Sequence, residues 1–173
     1  MEVESRNTII DKVAQYLHWL TIPKQEFGNM PVCPFLDKEL KQDLLYIDIW
    51  YPHNNSFMDI METFLLSGKN SALVICPNTH TIDYSEVSRK DIQKQITDLL
   101  RKNPHTEYLK CMIFSPYEDF EVAGVKTRSG APYFLINVAP TAQLGKSHKD
   151  LKKTKYFNSF SDEDKQRLNV PKK

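Results

Sequence analysis

The chain has 173 residues, 40% hydrophobic and 26% charged, which suits one domain of ordinary size and excludes a disordered composition. Lysine and arginine number 23 against 22 acidic residues, a net charge of +1, so no strong overall field draws the protein to nucleic acid or to a membrane surface. Three cysteines, Cys33, Cys76 and Cys111, are odd in number and widely spaced, which argues against a disulfide framework.

The segment Met1 to Arg6 lacks the basic start and apolar run of a secretion signal, and no apolar stretch is long enough to span a bilayer. The expectation is a reducing, cytoplasmic setting, no membrane partner, and one globular domain over residues 1–173.

Ile9, Ile10, Val13, Leu17 and Leu20 recur at helical spacing, and Pro23 follows the predicted end. Phe27 to Pro34 is rich in turn formers, and Phe35 to Leu40 reads as a short helix. Leu44 to Tyr51 reads as a strand with Leu45, Ile47, Ile49 and Tyr51 on one face; Asp48 then stands on the other, between Tyr46 and Trp50. Ser56 is placed to cap a helix carrying Phe57, Ile60, Met61, Phe64 and Leu65, with Gly68 as its stop.

Ala72 to Cys76 is a continuous apolar run, the mark of a strand covered on both faces. Asp83 to Glu86 has capping-box spacing and predicts the start of a long helix with Val87, Ile92, Ile96, Leu99 and Leu100 inward and Pro104 just past its end. Tyr108 to Phe114 and Ala131 to Val138 read as strands, with a hairpin through Phe120 and Val122 between them. Thr141 to Leu151 and Ser161 to Leu168 read as closing helices. Lys146, Lys149, Lys152, Lys153 and Lys155 make the C-terminal quarter locally basic, as a solvated helix face would be. The order predicts an α/β or α+β fold: one layered domain, a mixed sheet of about four or five strands with helices packed on it.

Four loops carry residues with chemical potential. Cys33 precedes Pro34, which starts a helix well; free N–H groups and the helix dipole favour a thiolate there, and a buried turn residue is the alternative. His80 lies in the loop after the central strand, where ligands often bind, and its ordinary pKa suits a general acid or base; capping the next helix or facing water is the alternative. Ser115 and Tyr117 lie in a turn anchored by Phe114 and Phe120, with no hydrolase elbow around the serine. Arg128, beside Ser129 and Gly130 and upstream of Tyr133, has the planar fork that binds a carboxylate or phosphate; a surface or ion-paired arginine is the alternative. No paired metal-ligand spacing and no glycine-rich phosphate loop occurs, so neither a metal nor a nucleotide cofactor is expected.

These residues, taken in order, make the chain resemble the uncharacterised bacterial family known as domain of unknown function fourteen-fifteen. That family has a Leu-Cys-Pro-Phe motif after a first helix, then a Phe-His-Pro turn, an aromatic residue and a glycine, and an Arg-Ser-Pro-Tyr-Pro segment entering a strand. Here Cys33-Pro34-Phe35 follows the first helix, Phe114-Ser115-Pro116 follows a strand, Phe120 and Gly124 come next, and Arg128-Ser129 precedes Pro132-Tyr133. Ser115 replaces the family's histidine, and Gly130-Ala131 separate the last two elements. The match runs from about Ile9 to Leu151; it implies a shared fold and pocket, and it brings no activity with it.

Two functions follow as expectations. One is a small enzyme or ligand-binding protein for a small anionic molecule. Its pocket would join Cys33 as nucleophile or polar contact, His80 as acid or base, Arg128 as anion clamp, and Tyr117 and Tyr133 as further contacts. The other is a non-catalytic interaction protein that docks a partner through its basic C-terminal region and Tyr156, Phe157 and Phe160.

Overall fold

A computed structural model describes residues 4–170. The first helix, α1 (Arg6–Thr21), is capped by Ser5, whose side chain accepts from the Thr8 N–H, and it buries Ile9, Val13, Tyr16, Leu17 and Leu20. The turn-rich segment that follows holds a small antiparallel hairpin, β1 (Pro23–Lys24) and β2 (Met30–Pro31), around a 3₁₀ turn at Gln25–Phe27. Pro34 opens α2 (Pro34–Lys41), with Cys33 at its N-cap.

Next come β3 (Leu45–Ile49), α3 (Phe57–Leu66) and β4 (Ser71–Cys76). Ser56 and Asp59 form a reciprocal capping box at the start of α3. Gly68, with φ 71°, follows its end in the left-handed region. The chain continues through α4 (Arg89–Lys102), β5 (Leu109–Phe114), the hairpin β6 (Glu121–Val122) and β7 (Val125–Lys126), and β8 (Phe134–Pro140). The closing helices are α5 (Thr141–Lys152) and α6 (Asp162–Arg167).

The main sheet has four strands in the order β3-β4-β8-β5. β3 and β4 are parallel; β8 is antiparallel to both β4 and β5. The mixed, layered fold expected from the alternation of elements is therefore present. Side-chain alternation divides the strands between two cores. Leu45, Ile49, Leu73, Ile75 and Leu135 pack with α1, α2 and the aromatic residues Phe27, Tyr156 and Phe160. Ala72, Val74, Cys76, Cys111, Ile113, Phe134, Ile136 and Val138 pack with α3 and α4. Every residue of β4 is buried, because helices cover both its faces.

Three local expectations need correction. Asp83 caps only a 3₁₀ turn, Tyr84–Glu86; the long helix starts later, where the Ser88 side chain accepts from the Asp91 N–H. Val87 between them is extended, φ −96° and ψ 128°, so the two turns cannot join. Leu99 is 40% exposed, since the buried stripe of α4 runs through Ile96 and Leu100. Of the aromatic residues expected to dock a partner, Tyr156 and Phe160 are buried and Phe157 is half-buried; the rings of Tyr156, Phe160 and Phe27 sit 5.3 to 5.4 Å apart.

No helix among the described residues is long and apolar enough to cross a membrane.

Candidate anion site at the end of the sheet

The motif-bearing loops leave the sheet at one end: after Ile49 in β3, after Cys76 in β4, after Phe114 in β5, and before Phe134 in β8. Antiparallel pairing of β8 with β4 and β5 brings the Arg128 segment to the end where those two strands finish.

Arg128 is the best-defined group there. Its Cζ lies 3.9 Å from the centroid of the Phe120 ring and 5.7 Å from that of Phe114. Both rings pack against the core on the α1 side, so the guanidinium rests on a fixed apolar floor. Arg167 also stands over Phe120, with its Cζ 4.9 Å from the ring centroid. Among the described residues the Arg128 guanidinium makes no ion pair and no hydrogen bond; only the residue's backbone carbonyl is engaged, by the Ala131 N–H. Burial, and then the nearby Arg89, push its pKa down, but an arginine stays protonated. A half-buried guanidinium with unused donors is costly to keep unless something else satisfies it. The Ser129 Oγ, next in the chain, is also buried and has no hydrogen-bond partner.

Neighbouring charges are already paired. Arg89 Nε donates to Glu118 Oε2 at 2.6 Å, and its Nη1 donates to Gln93 Oε1. Arg167 Nη2 reaches Asp164 Oδ1 at 2.7 Å and donates to the Glu121 carbonyl. Burial raises the Asp164 pKa, but Arg167 and the amides of Ala123 and Ser161 outweigh it and leave the carboxyl low. None of Arg89, Glu118, Asp164 and Arg167 is legible as part of this site from sequence. Only the fold brings positions 89, 118, 128 and 167 together.

Tyr16 links this region to Cys33. Its hydroxyl donates to the Thr127 carbonyl at 2.6 Å, and both Cys33 and Arg128 act on its titration. Cys33 and the Phe114 and Phe120 rings beneath Arg128 pack on the same core, on the α1 side of the sheet. The thiol is not activated, however. Burial pushes the Cys33 pKa up, more than the amides of Leu36 and Phe35 pull it down, and the Glu39 carboxylate adds to the rise. The helix end acts as the sequence suggests, but loss of water outweighs it.

Glu39 escaped the sequence reading. It is a buried carboxylate that accepts from Ser71 Oγ at 2.5 Å and Gln143 Nε2 at 2.7 Å. Its one signal is its place three residues after Leu36, on the inward face of α2.

His80 is exposed at a loop tip, and no contact joins it to Cys33 or Arg128 among the described residues. Asn78 and Asp83 organise this loop: Asn78 Oδ1 accepts from the Tyr84 N–H and its Nδ2 donates to Asp83. Tyr84 then stacks on Phe134 in the α3–α4 core, the face opposite Cys33. Tyr117 is 45% exposed, in the same turn as Glu118. Tyr133 is buried and donates to Glu4 Oε2 at 2.6 Å, so its hydroxyl is already engaged. Ser115 Oγ accepts from the Tyr117 N–H and shapes the turn.

Native cysteines are expected to react slowly with iodoacetamide at pH 7.5, with Cys33 no faster than Cys111. Burial raises all three thiols, Cys76 up to about 12. Mass spectrometry of a labelling time course checks this, and rapid selective labelling of Cys33 would restore the thiolate reading.

No group of three or more His, Cys, Asp or Glu among the described residues is placed to hold a metal ion. The chain matches no family model, no curated protein and no solved structure.

Proposed function

We propose that this protein binds a small anionic molecule at the end of its sheet, with Arg128 as the anchoring group. The observation that carries the reading is a half-buried guanidinium standing over the Phe120 ring with no carboxylate or carbonyl partner among the described residues. The unpartnered Ser129 Oγ beside it supports the same reading. So does the motif order that resembles domain of unknown function fourteen-fifteen. Phe114, Phe120 and Arg128 come from three of its separate elements and stand against one another here. We read the chain as a relative of that family on this ground.

Binding is favoured over covalent catalysis, because burial holds the Cys33 thiol protonated and His80 lies apart from it. Three unpaired cysteines fit work in a reducing, cytoplasmic setting.

The test is a melting-temperature screen with acetate, benzoate, malonate, phosphate and sulfate at constant ionic strength. An anion that binds only the native state raises the melting temperature, by about 2.7 kcal/mol of stability at a hundredfold excess over its Kd. At least one anion is expected to do so, and Arg128→Ala is expected to abolish the response while the far-ultraviolet circular dichroism stays native. A response that survives Arg128→Ala, or no response to any anion, removes the proposal.

A further inference from the structure

Accepting Arg128 as the anchor, on which this inference rests, we infer that the site takes a singly charged carboxylate in preference to a phosphate dianion. The charged groups that act on the guanidinium, Arg89, Glu118 and Arg167, are all paired. Arg89 is matched by Glu118, Arg167 by Asp164, and the outlying Lys126 by Asp119 at 3.3 Å. Tyr16, the remaining titratable neighbour, is uncharged, because burial carries its hydroxyl far above its ordinary value. One positive charge remains, that of Arg128.

In a half-buried site an unmatched charge is expensive, so an occupant of charge −1 completes the balance and a dianion leaves one negative charge over. Geometry points the same way. The guanidinium Cζ stands 3.9 Å over the Phe120 ring, and its planar fork of N–H donors has no partner among the described residues. A planar carboxylate meets such a fork with two parallel hydrogen bonds.

The inference is tested by calorimetric titration of the full chain with benzoate and, separately, with inorganic phosphate at pH 8, where phosphate is mainly a dianion. Benzoate is expected to bind at least tenfold more tightly. Arg128→Lys keeps the charge but loses the fork, and is expected to weaken benzoate at least tenfold. Glu118→Gln leaves Arg89 unmatched and raises the local charge to two, so phosphate affinity is expected to rise several-fold relative to benzoate.

Tighter binding of phosphate than of benzoate by the native chain, lost in Arg128→Ala, overturns the carboxylate assignment and leaves the anion site standing. An unchanged ratio in Glu118→Gln shows that local charge balance does not select the ligand, and overturns the inference likewise. Failure of both probes to bind, with no anion active in the melting screen, removes the site itself.

Discussion

Ile75→Ala is expected to destabilise the protein by about 2–5 kcal/mol, the usual loss when a buried aliphatic side chain is truncated and its space only partly refills. Ile75 is wholly buried, in the strand that helices cover on both faces. It pairs with Ile49 on one side and Leu135 on the other, so its side chain sits mid-sheet against the α1 layer. A cavity there cannot be closed by moving one loop, because the neighbours belong to three strands and a helix layer. Leu73→Ala, on the same face and 3% exposed, belongs to the same class. Leu66→Ala is the control: that side chain is 89% exposed at the end of α3, and its loss should change stability by less than about 0.5 kcal/mol. Urea denaturation of the three variants decides the matter. Equal midpoints for Ile75→Ala and Leu66→Ala would show that β4 is not the centre of the fold.

Gly28→Ala should be about as damaging, for another reason. Gly28 closes the 3₁₀ turn with φ 66°, where a side chain costs roughly 1–2 kcal/mol. A Cβ there would also lie 2.6 Å from the Lys155 carbonyl oxygen and 2.7 Å from its carbon. Those are backbone atoms and cannot swing away, so overpacking adds about 1–3 kcal/mol. The close approach has a purpose in the packing. It lets Phe27, 1% exposed, reach the rings of Tyr156 and Phe160, which follow Lys155 in the chain. Gly124→Ala separates the two contributions. Gly124 has φ 78° but nothing within 4 Å of a built Cβ, so it should lose only the first. Similar melting temperatures for the two variants would mean that the Lys155 contact yields without cost.

Much of this fold was legible. Ser56 and Ser161 mark helix starts with an acidic residue three positions on, and both form complete capping boxes. The alternation Leu45, Ile47, Ile49 against Tyr46, Trp50 assigns the two faces of β3 to the two cores they meet. Asp83 misled because its side chain is recruited by the nearby Asn78 and Ser85. Capping chemistry is local, but which of two adjacent caps a helix uses depends on the backbone between them.

The site was legible as residues and not as an arrangement. Phe114, Phe120 and Arg128 could be singled out by type and order, and Cys33 and His80 by the chemistry of their loops. That Arg128 lacks a carboxylate partner among the described residues while Arg89 and Arg167 have theirs is set by the fold and not by local sequence. The protonation of Cys33 was equally out of reach, since the helix end favours one state, burial the other, and sequence carries no measure of burial at a single turn.

The position of β8 bears on how the chain reaches this structure. It lies between β4 and β5, yet it is the last of the four strands to leave the ribosome. Until residues 134–140 emerge, β4 and β5 each present an unpaired edge, and β4 offers six residues that end up buried. Joining β4 to β8 also means closing the loop of residues 77–133, an entropic barrier that locally built helices do not face. The N-terminal half can form its helices early, but the sheet waits for its late central strand. A nascent chain halted before residue 134 is therefore the form most exposed to aggregation and most in need of a chaperone.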